Sequence, residues 1–347
     1  MAYTAVDKHT SFFNFLKYTG NSSTQSVTGV GHQPDLTWIK KGNGSDDWAV
    51  FSSVRGVTKD LRLNDSDTED TATNGLTSFD SDGFSLGDWG LVNQGHIYLS
   101  HNWKGGTTSG LSGGTITPSA YSINTTSGFG VYKYTGNGSD NQTITHGLGA
   151  TPTCAIFKNL DASENWRFHS TTMDSMFTKT LFINTDGGLS SQSDGIKAAT
   201  STTITLGNGG AYNTNYQKYV MYLFCDKPGY CKAGSYIGNG VAGTNGGTYV
   251  TTGFKPKWVM LKSESANYDW ISFYSGLRSS STGNSVDLVV YPNTNGAWAS
   301  GDKFDIFANG FRPLISGTEA NGDGTKYHYL AFGQSMVGSN NVINTAI

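Results

Sequence analysis

Charged side chains are scarce in this chain of 347 residues. Lysine, arginine, aspartate and glutamate make up 14% of the sequence, and the net charge is −3. Soluble domains typically carry about 25% of such residues. No run of lysines and arginines is present. Proteins that bind duplex nucleic acid neutralise phosphates with clustered basic residues, so we expect no nucleic-acid partner.

Long apolar runs are also lacking. No stretch approaches the ~18 consecutive apolar residues of a membrane-spanning helix, so we expect no membrane partner. The first fifteen residues lack a basic start followed by an apolar core, and this pattern predicts no signal peptide.

Cysteine is rare as well, and its positions exclude two kinds of site. The three cysteines are Cys154, Cys225 and Cys231. An odd number with no Cys-x-x-Cys pair fits neither a disulfide framework nor a zinc site. A bridge between Cys225 and Cys231 across the intervening turn is one alternative. We favour the other, that all three are buried thiols in a reducing compartment.

Glycine and aromatic residues are abundant. The chain has 46 glycines, and aromatic residues make up 13% of it. Disordered chains lack aromatics, so the glycine content does not indicate disorder. Aromatic side chains bury large areas, while glycine and asparagine favour turns. This composition, with no sustained helical periodicity, predicts an all-β protein with many short strands and almost no helix.

One phrase occurs three times, starting at Tyr18, Tyr134 and Tyr236 with the pattern Tyr-x-Gly-Asn. Each phrase is followed by a proline, a lysine six residues later and a tryptophan eight residues after that. The three sets are Pro34, Lys40 and Trp48; Pro152, Lys158 and Trp166; and Pro256, Lys262 and Trp270. Because the spacing is identical in all three, the chain contains three copies of one unit.

Each copy is predicted to contain a hairpin and a central strand. A short apolar run between the proline and the lysine predicts one strand, and a polar loop leads to a second strand that carries the tryptophan. Near-continuous aromatic runs at 96–103, 218–224 and 326–332 predict a central strand that closes each copy. These patterns favour three tandem antiparallel β-sandwich units, jelly-roll or lectin-like, of about 100 residues each. They leave the strand order open.

The repeats set the predicted domain boundaries. The segments are an N-terminal arm 1–16, repeat 1 at 17–104, a Gly/Ser/Thr linker 105–120, repeat 2 at 121–230, repeat 3 at 231–333 and a C-terminal tail 334–347.

Four phrases carry a family resemblance: YTGNGS, HGLGATPTCAIFKN, FDSDGFSLG and GSYIGNG. As a set they resemble a tandem β-domain of unknown function found in predicted virion structural proteins of marine tailed bacteriophages. The resemblance covers about 10–333. It implies a protein made in the host cytoplasm that acts on the virus particle, with tail or capsid proteins as partners. It carries no catalytic residues. Repeat 2 lacks a clear FDSDGF phrase, so a site built on that loop is not expected there.

The tryptophans at the repeated position are candidate ligand-binding residues. Trp48, Trp166 and Trp270 could stack on sugar rings or cations if they are exposed. A tryptophan repeated in a sandwich is more often part of the core, which is the alternative that we favour. The repeated lysines are expected to be solvated at the base of a loop.

We expect no cofactor, but two acidic runs leave a calcium site as an alternative. Residues 64–70 and 80–83 are rich in the hard oxygen ligands that calcium prefers, but neither run has EF-hand spacing. Asp80 and Asp82 are therefore candidate ligand-binding residues, with capping of the turn backbone as the alternative. We expect no other metal and no cofactor.

The functional expectation is a bacteriophage surface protein that binds rather than catalyses. The first hypothesis is a tail-fibre or adhesin component that recognises host surface glycan through its loops. The second is a head decoration (cement) protein that binds the capsid. The third is a polysaccharide depolymerase, which requires two positioned carboxylates. Glu164 and Glu264 do not occupy equivalent positions, so we expect no enzyme.

The start of the chain contains an apolar cluster of Phe12, Phe13 and Phe15. One interpretation is a docking arm that attaches the protein to the particle. The alternative is the first strand of repeat 1. We also expect a homo-oligomer, because many weak contacts multiply in avidity.

Overall fold

The computed structural model describes residues 3–173, 178–244, 246–277, 285–338 and 340. Within these ranges the chain is nearly all β, with every paired strand antiparallel. The helical elements described are a 3-10 turn, His9–Ser11, and one four-residue helix, α1, Gly90–Asn93. The all-β prediction is confirmed, and the architecture is β-sandwich-like.

Repeat 1 forms a six-stranded sheet and a three-stranded sheet. Its strands are β1 (Phe13–Thr19), β2 (Gln25–Thr28), β3 (Leu36–Lys41), β4 (Ala49–Ser52), β5 (Lys59–Arg62), β6 (Asp70–Thr71), β7 (Leu76–Asp80), β8 (Gly83–Leu86) and β9 (Ile97–Trp103). The larger sheet has the order β1-β9-β3-β4-β5-β6, and the smaller one has the order β2-β8-β7.

Repeat 2 has the same plan with one strand added at the edge. Its strands are β10 (Ala120–Asn124), β11 (Phe129–Thr135), β12 (Gln142–Thr145), β13 (Cys154–Asn159), β14 (Arg167–Ser170), β15 (Lys179–Phe182), β16 (Ser190–Ser191), β17 (Ile196–Ala199), β18 (Thr203–Leu206) and β19 (Lys218–Phe224). The sheet orders are β10-β11-β19-β13-β14-β15-β16 and β12-β18-β17.

Repeat 3 joins the two sheets into one of eight strands. Its strands are β20 (Cys231–Ile237), β21 (Val250–Thr251), β22 (Lys255–Ser263), β23 (Ile271–Tyr274), β24 (Ser285–Val290), β25 (Ala299–Phe307), β26 (Gly310–Pro313) and β27 (Lys326–Gln334). Their order is β20-β27-β22-β23-β24-β25-β26-β21. The long strand β25 pairs with both β24 and β26, and so connects what are separate sheets in the other repeats.

The predicted hairpins and central strands are present in all three repeats. The pairs β3–β4, β13–β14 and β22–β23 are the predicted hairpins. The repeated tryptophans directly precede the second strand of each pair and do not lie within it. The closing strands β9, β19 and β27 each lie between two other strands. A central strand that is covered on both faces buries the side chains on each of its sides, so nearly all of its residues are apolar. This position explains the near-continuous apolar runs of the three closing strands.

The repeats share a core as well as having their own. Three hydrophobic clusters each centre on one repeat, that of repeat 2 also including Ile116 of the predicted linker, and a fourth contains residues from all three repeats. In that shared cluster, Trp103 of repeat 1 lies 5.7 Å from Trp258 of repeat 3, and Phe224 of repeat 2 lies 5.7 Å from Phe332 of repeat 3, as ring centroids. The repeats are therefore packed on one another and are not independent beads.

The prediction of a docking arm at Phe12, Phe13 and Phe15 is wrong. Phe13 is fully buried in β1 and stacks on Phe332 at 4.8 Å. Phe12 and Phe15 pack against the shared core, on Tyr230 and Tyr274. Phe13 and Phe15 lie in β1, so the alternative of a first strand is confirmed for these two residues, while Phe12 directly precedes the strand and is half-buried.

Segments on either side of the predicted boundaries also pack on the repeats. The Tyr3 hydroxyl donates to Gly253 O at 2.7 Å, and the His9 amide donates to Gln334 Oε1 at 2.7 Å. In the predicted linker, Thr107 forms a β-bridge with Ile123 of repeat 2. The arm and the linker are therefore parts of the packed structure. In the predicted tail, residues 339 and 341–347 lie outside the described residues.

All three cysteines are free and buried. Burial raises the pKa of each thiol, so none is predisposed to form a thiolate. The interpretation as buried apolar residues is confirmed, and Cys225 and Cys231 form no bridge.

Candidate functional site

The tyrosine of each repeated phrase stacks on a tyrosine of the closing strand. The pairs are Tyr18–Tyr98 (5.3 Å), Tyr134–Tyr219 (5.2 Å) and Tyr236–Tyr327 (4.8 Å), with ring planes within 16° of parallel. The first tyrosine of each pair donates its hydroxyl to a backbone carbonyl at 2.6–2.7 Å. The phrase thus serves packing, which explains why it recurs.

A buried asparagine completes this cluster in each repeat. Asn93, Asn213 and Asn321 are fully buried, and each side-chain oxygen accepts from the backbone amide of the asparagine in the phrase. These asparagines lie outside the repeated phrases that identify the repeats. They could have been found by their position, five or six residues before the second tyrosine. We call each group of two tyrosines and a buried asparagine a Tyr–Asn cluster.

The Tyr–Asn clusters hold loops that differ between the repeats. A Cβ on the phrase glycine would lie 2.0 Å from Gln94 O at Gly20 and 2.3 Å from Thr214 O at Gly136, so the frame admits only glycine there. The loops that leave this frame cover 20–24, 136–141 and, among the described residues, 238–244 and 246–249. The fold thus fixes where these loops start and end while their sequences vary.

One residue that contacts such a loop is exposed and strained. Tyr216 is 82% exposed and has a φ of 64°, in the left-handed region. Its amide donates to Gly136 O, and in repeat 3 the corresponding bond runs from Gly324, with a φ of 67°, to Gly238 O. Repeat 2 therefore places a large aromatic side chain where repeat 3 uses glycine. A strained, solvent-exposed aromatic residue is a candidate contact for a ligand.

The repeated tryptophans join neighbouring repeats in a closed cycle. Each indole N–H donates to a backbone carbonyl of another repeat: Trp48 to Tyr291 O (3.2 Å), Trp166 to Arg62 O (2.7 Å) and Trp270 to Phe182 O (2.7 Å). Repeat 1 thus binds repeat 3, repeat 2 binds repeat 1, and repeat 3 binds repeat 2. At most 1% of each side chain is exposed, so the rings offer no face to a sugar. The prediction of an exposed stacking platform is wrong, and the core alternative is confirmed.

The repeated lysines are buried at the same junctions. Lys40, Lys158 and Lys262 are fully buried, contrary to the expectation of solvated side chains. Each ammonium donates to backbone carbonyls; for Lys158 these are Asn159 O, Glu164 O and, across the junction, Ser66 O. Burial lowers the pKa of each to about 8 while nearby carboxylates oppose the shift, so the lysines remain charged at neutral pH. Backbone carbonyls at the base of the loop accept the hydrogen bonds that water would otherwise accept from the ammonium group. Sequence patterns do not show this arrangement.

Asp80 and Asp82 form hydrogen bonds within repeat 1. Asp82 accepts from the amides of Gly29 (3.0 Å) and Gly31 (2.6 Å), and these bonds lower its pKa. Asp80 accepts from two serine hydroxyls on β7 and β8. These contacts fit the alternative of capping, although Asp82 caps the loop after β2 and not its own turn.

The acidic residues considered for catalysis are each paired separately. Glu164 contacts Arg167 at 3.3 Å, and Glu264 contacts His328 Nε2 at 2.6 Å and Lys326 at 3.4 Å. Within the described part of the chain, no group of three or more His, Cys, Asp or Glu residues is placed to hold a metal ion. The same part contains no helix with the length and apolar character needed to cross a membrane.

An acidic cavity of about 140 Å³ lies on repeat 1. Its lining consists of Asp47, Asp60, Leu61, Arg62, Asp65, Asp67, Thr68 and Asp70. It includes most of the acidic run singled out in the sequence, but Asp47 and Asp60 were not expected to join it. The strand pairing of β4 with β5 and of β5 with β6 brings them together.

These features define a repeat protein of β-sandwich-like architecture, closed by contacts between its repeats. The model of the family described as "Domain of unknown function (DUF7483)" matches residues 8–335, and the chain belongs to this family. No curated protein and no solved structure matches the chain. One family model covers all three repeats, as expected for repeats that share a core.

Proposed function

We propose that this protein is a structural and binding component of the surface of a bacteriophage particle, and that its loops recognise glycan on the host surface. In this proposal each repeat is a jelly-roll or lectin-like sandwich unit, and tail-fibre or other virion proteins are its partners. The proposal rests on the resemblance of four sequence phrases to a domain of predicted virion proteins and on the architecture described above.

The observation that carries the proposal is the closed cycle of Trp48, Trp166 and Trp270 around a shared aromatic core. A scaffold joined in this way holds its loops at fixed positions relative to one another. Rigid elements that present variable loops are the common construction of binding surfaces. Several weak contacts presented together gain affinity through avidity.

Within this scaffold, the loops above the Tyr–Asn clusters are the candidate glycan-binding surface. They are rich in Asn, Ser, Thr and Gly, whose side chains and backbone can bond sugar hydroxyls. Tyr216 adds an aromatic face in repeat 2, which can stack on the C–H groups of a sugar ring.

The test is to count copies of the protein in purified particles by quantitative mass spectrometry against the major capsid protein, together with binding of the isolated protein to host polysaccharide. A few tens of copies or fewer, with polysaccharide binding, would support a tail or adhesin role. Absence from particles would refute a virion role, and presence without polysaccharide binding would refute glycan recognition.

Head decoration is the second candidate, and the cyclic arrangement of the repeats favours it. Three similar junctions present three similar faces, which match a threefold position on an icosahedral shell. This role predicts a copy number in the hundreds and binding of the isolated protein to undecorated capsids.

A further inference from the structure

The acidic cavity on repeat 1 has a strong excess of negative charge. Five aspartates and one arginine line it. Arg62 contacts Asp60 Oδ2 through Nε at 2.6 Å and Asp47 Oδ2 through Nη1 at 3.1 Å. Arg62 therefore neutralises part of one side, while Asp65, Asp67 and Asp70 have no basic residue within ion-pair distance among the described residues.

Asp60 is the buried member of this lining. It is 1% exposed, and its Oδ1 atom has no hydrogen-bond partner. Burial raises its pKa to about 7, while Arg62, Arg55 and a weak interaction with the backbone amide of Val50 oppose the shift. A carboxylate oxygen that is buried without a partner costs free energy, and a cationic donor in the cavity would lower this cost.

The other repeats carry fewer carboxylates at these positions. Arg62, Phe182 and Tyr291 occupy equivalent positions in repeats 1, 2 and 3, because the carbonyl of each accepts from the indole of a repeated tryptophan and the strand register agrees. Asp60, two residues earlier, therefore corresponds to Thr180 of repeat 2 and Val289 of repeat 3. In repeat 2 the counterparts of Asp65, Asp67 and Asp70 are Thr185, Gly187 and Ser190. The junction of repeats 2 and 3 forms with one aspartate in this loop, Asp186, which raises the pKa of Lys262 against the lowering by burial. At the junction of repeats 1 and 2, Asp65 and Asp67 both act in this way on Lys158. Repeat 1 therefore carries more carboxylates in this loop than the equivalent junction of repeat 2.

We propose that the acidic cavity binds an organic cation, an alkylammonium or guanidinium group. Such a group donates several N–H bonds at about 2.7–2.9 Å to carboxylates spread around it, as Arg62 does at one wall. The volume of about 140 Å³ accommodates a head group of this size. A calcium ion instead needs six to eight oxygens converging at 2.3–2.6 Å, and the described residues provide no such metal-binding group.

This chemistry has two sources, a basic side chain of a partner protein or a free polyamine. The experiment is calorimetric titration of the full-length protein at low ionic strength and pH 8. The probes are Nα-acetyl-lysine methylamide, Nα-acetyl-arginine methylamide, spermidine and, separately, calcium chloride. Binding of the capped amino acids points to a partner side chain, and binding of spermidine alone points to a polyamine. Either result supports the site.

Two variants use residues that the chain already carries at equivalent positions. Asp60→Val takes the residue of repeat 3, and the triple variant Asp65→Thr, Asp67→Gly, Asp70→Ser takes those of repeat 2. Each should weaken binding about tenfold or more, since each removes charge-assisted hydrogen bonds. The matched control removes three exposed carboxylates elsewhere, Asp194→Asn, Asp302→Asn and Asp323→Asn, and should leave binding unchanged.

Three results would overturn the proposal. The first is that no cationic probe binds to the native protein. The second is equal binding to the native protein and to both cavity variants, with circular dichroism confirming that the variants are folded. The third is calcium binding that the ammonium and guanidinium probes do not displace.

Discussion

Replacing Trp166 with Phe should destabilise the protein more than replacing Trp103 with Phe, although both side chains are fully buried. Trp166 donates its indole N–H to Arg62 O across a junction. Trp103 lies in the shared core, and its indole nitrogen has no hydrogen-bond partner. The two substitutions remove the same atoms, so the loss of packing largely cancels between them.

The remaining difference comes from hydrogen bonding. Trp166→Phe leaves the buried Arg62 carbonyl without a donor, which costs about 1–3 kcal/mol. Trp103→Phe removes an unpaired buried N–H and so relieves a penalty of about the same size. The free energy of unfolding should therefore be lower in Trp166→Phe than in Trp103→Phe by at least about 2 kcal/mol. For a chain of 347 residues this corresponds to a melting-temperature difference of roughly 3 °C.

The assay is urea unfolding and thermal unfolding of both variants, followed by circular dichroism and by fluorescence to check that the transitions coincide. Trp48→Phe and Trp270→Phe should resemble Trp166→Phe, because they break equivalent bonds. If Trp103→Phe is as destabilising as Trp166→Phe, the hydrogen bonds at the junctions do not contribute to stability.

Three further predictions follow from single residues. Tyr216→Gly should leave the free energy of unfolding unchanged or raise it by up to about 1 kcal/mol, because glycine adopts the left-handed φ without strain. It should also weaken polysaccharide binding. Urea unfolding measures the first effect and a pull-down the second, and a clear loss of stability would contradict the prediction. Asp60 has a folded-state pKa of about 7, above the usual aspartate value of 3.8, so wild-type stability should fall as pH rises from about 4 to 7. The Asp60→Val variant has no carboxyl to ionise at this position. Its free energy of unfolding should therefore exceed that of wild type by a few kcal/mol at pH 8 but not at pH 4, as urea unfolding at the two pH values would show. Lys158→Met leaves three carbonyls without a donor and should lower the free energy of unfolding by about 2–4 kcal/mol, and unchanged urea unfolding would refute this.

Local features of the fold were predictable because they depend on nearby residues. The apolar closing runs predicted β9, β19 and β27 as central strands, and turn residues bounded the hairpins. The spacing of proline, lysine and tryptophan identified the repeats, since identical frames need identical spacing.

Other features depend on residues far apart in the chain, and sequence patterns could not reveal them. The acceptor of Trp166 lies 104 positions away, and that of Trp48 lies 243 positions away. The burial of Lys158 depends on Ser66 O of repeat 1, and so its polar surroundings were taken for solvent. For the acidic cavity, the run 64–70 was visible in the sequence, but the contribution of Asp60 depended on strand pairing.

The closed cycle separates covalent order from spatial order. Each repeat meets both of the others, whichever of them precedes it along the chain. The start and end of the cycle also meet, since the His9 amide lies 2.7 Å from Gln334 Oε1. The contacts between repeats therefore do not depend on which repeat contains the chain termini. We expect a chain with its first and last segments joined and a new opening within 105–120 to retain the same three junctions, because none of the three indole hydrogen bonds involves these residues.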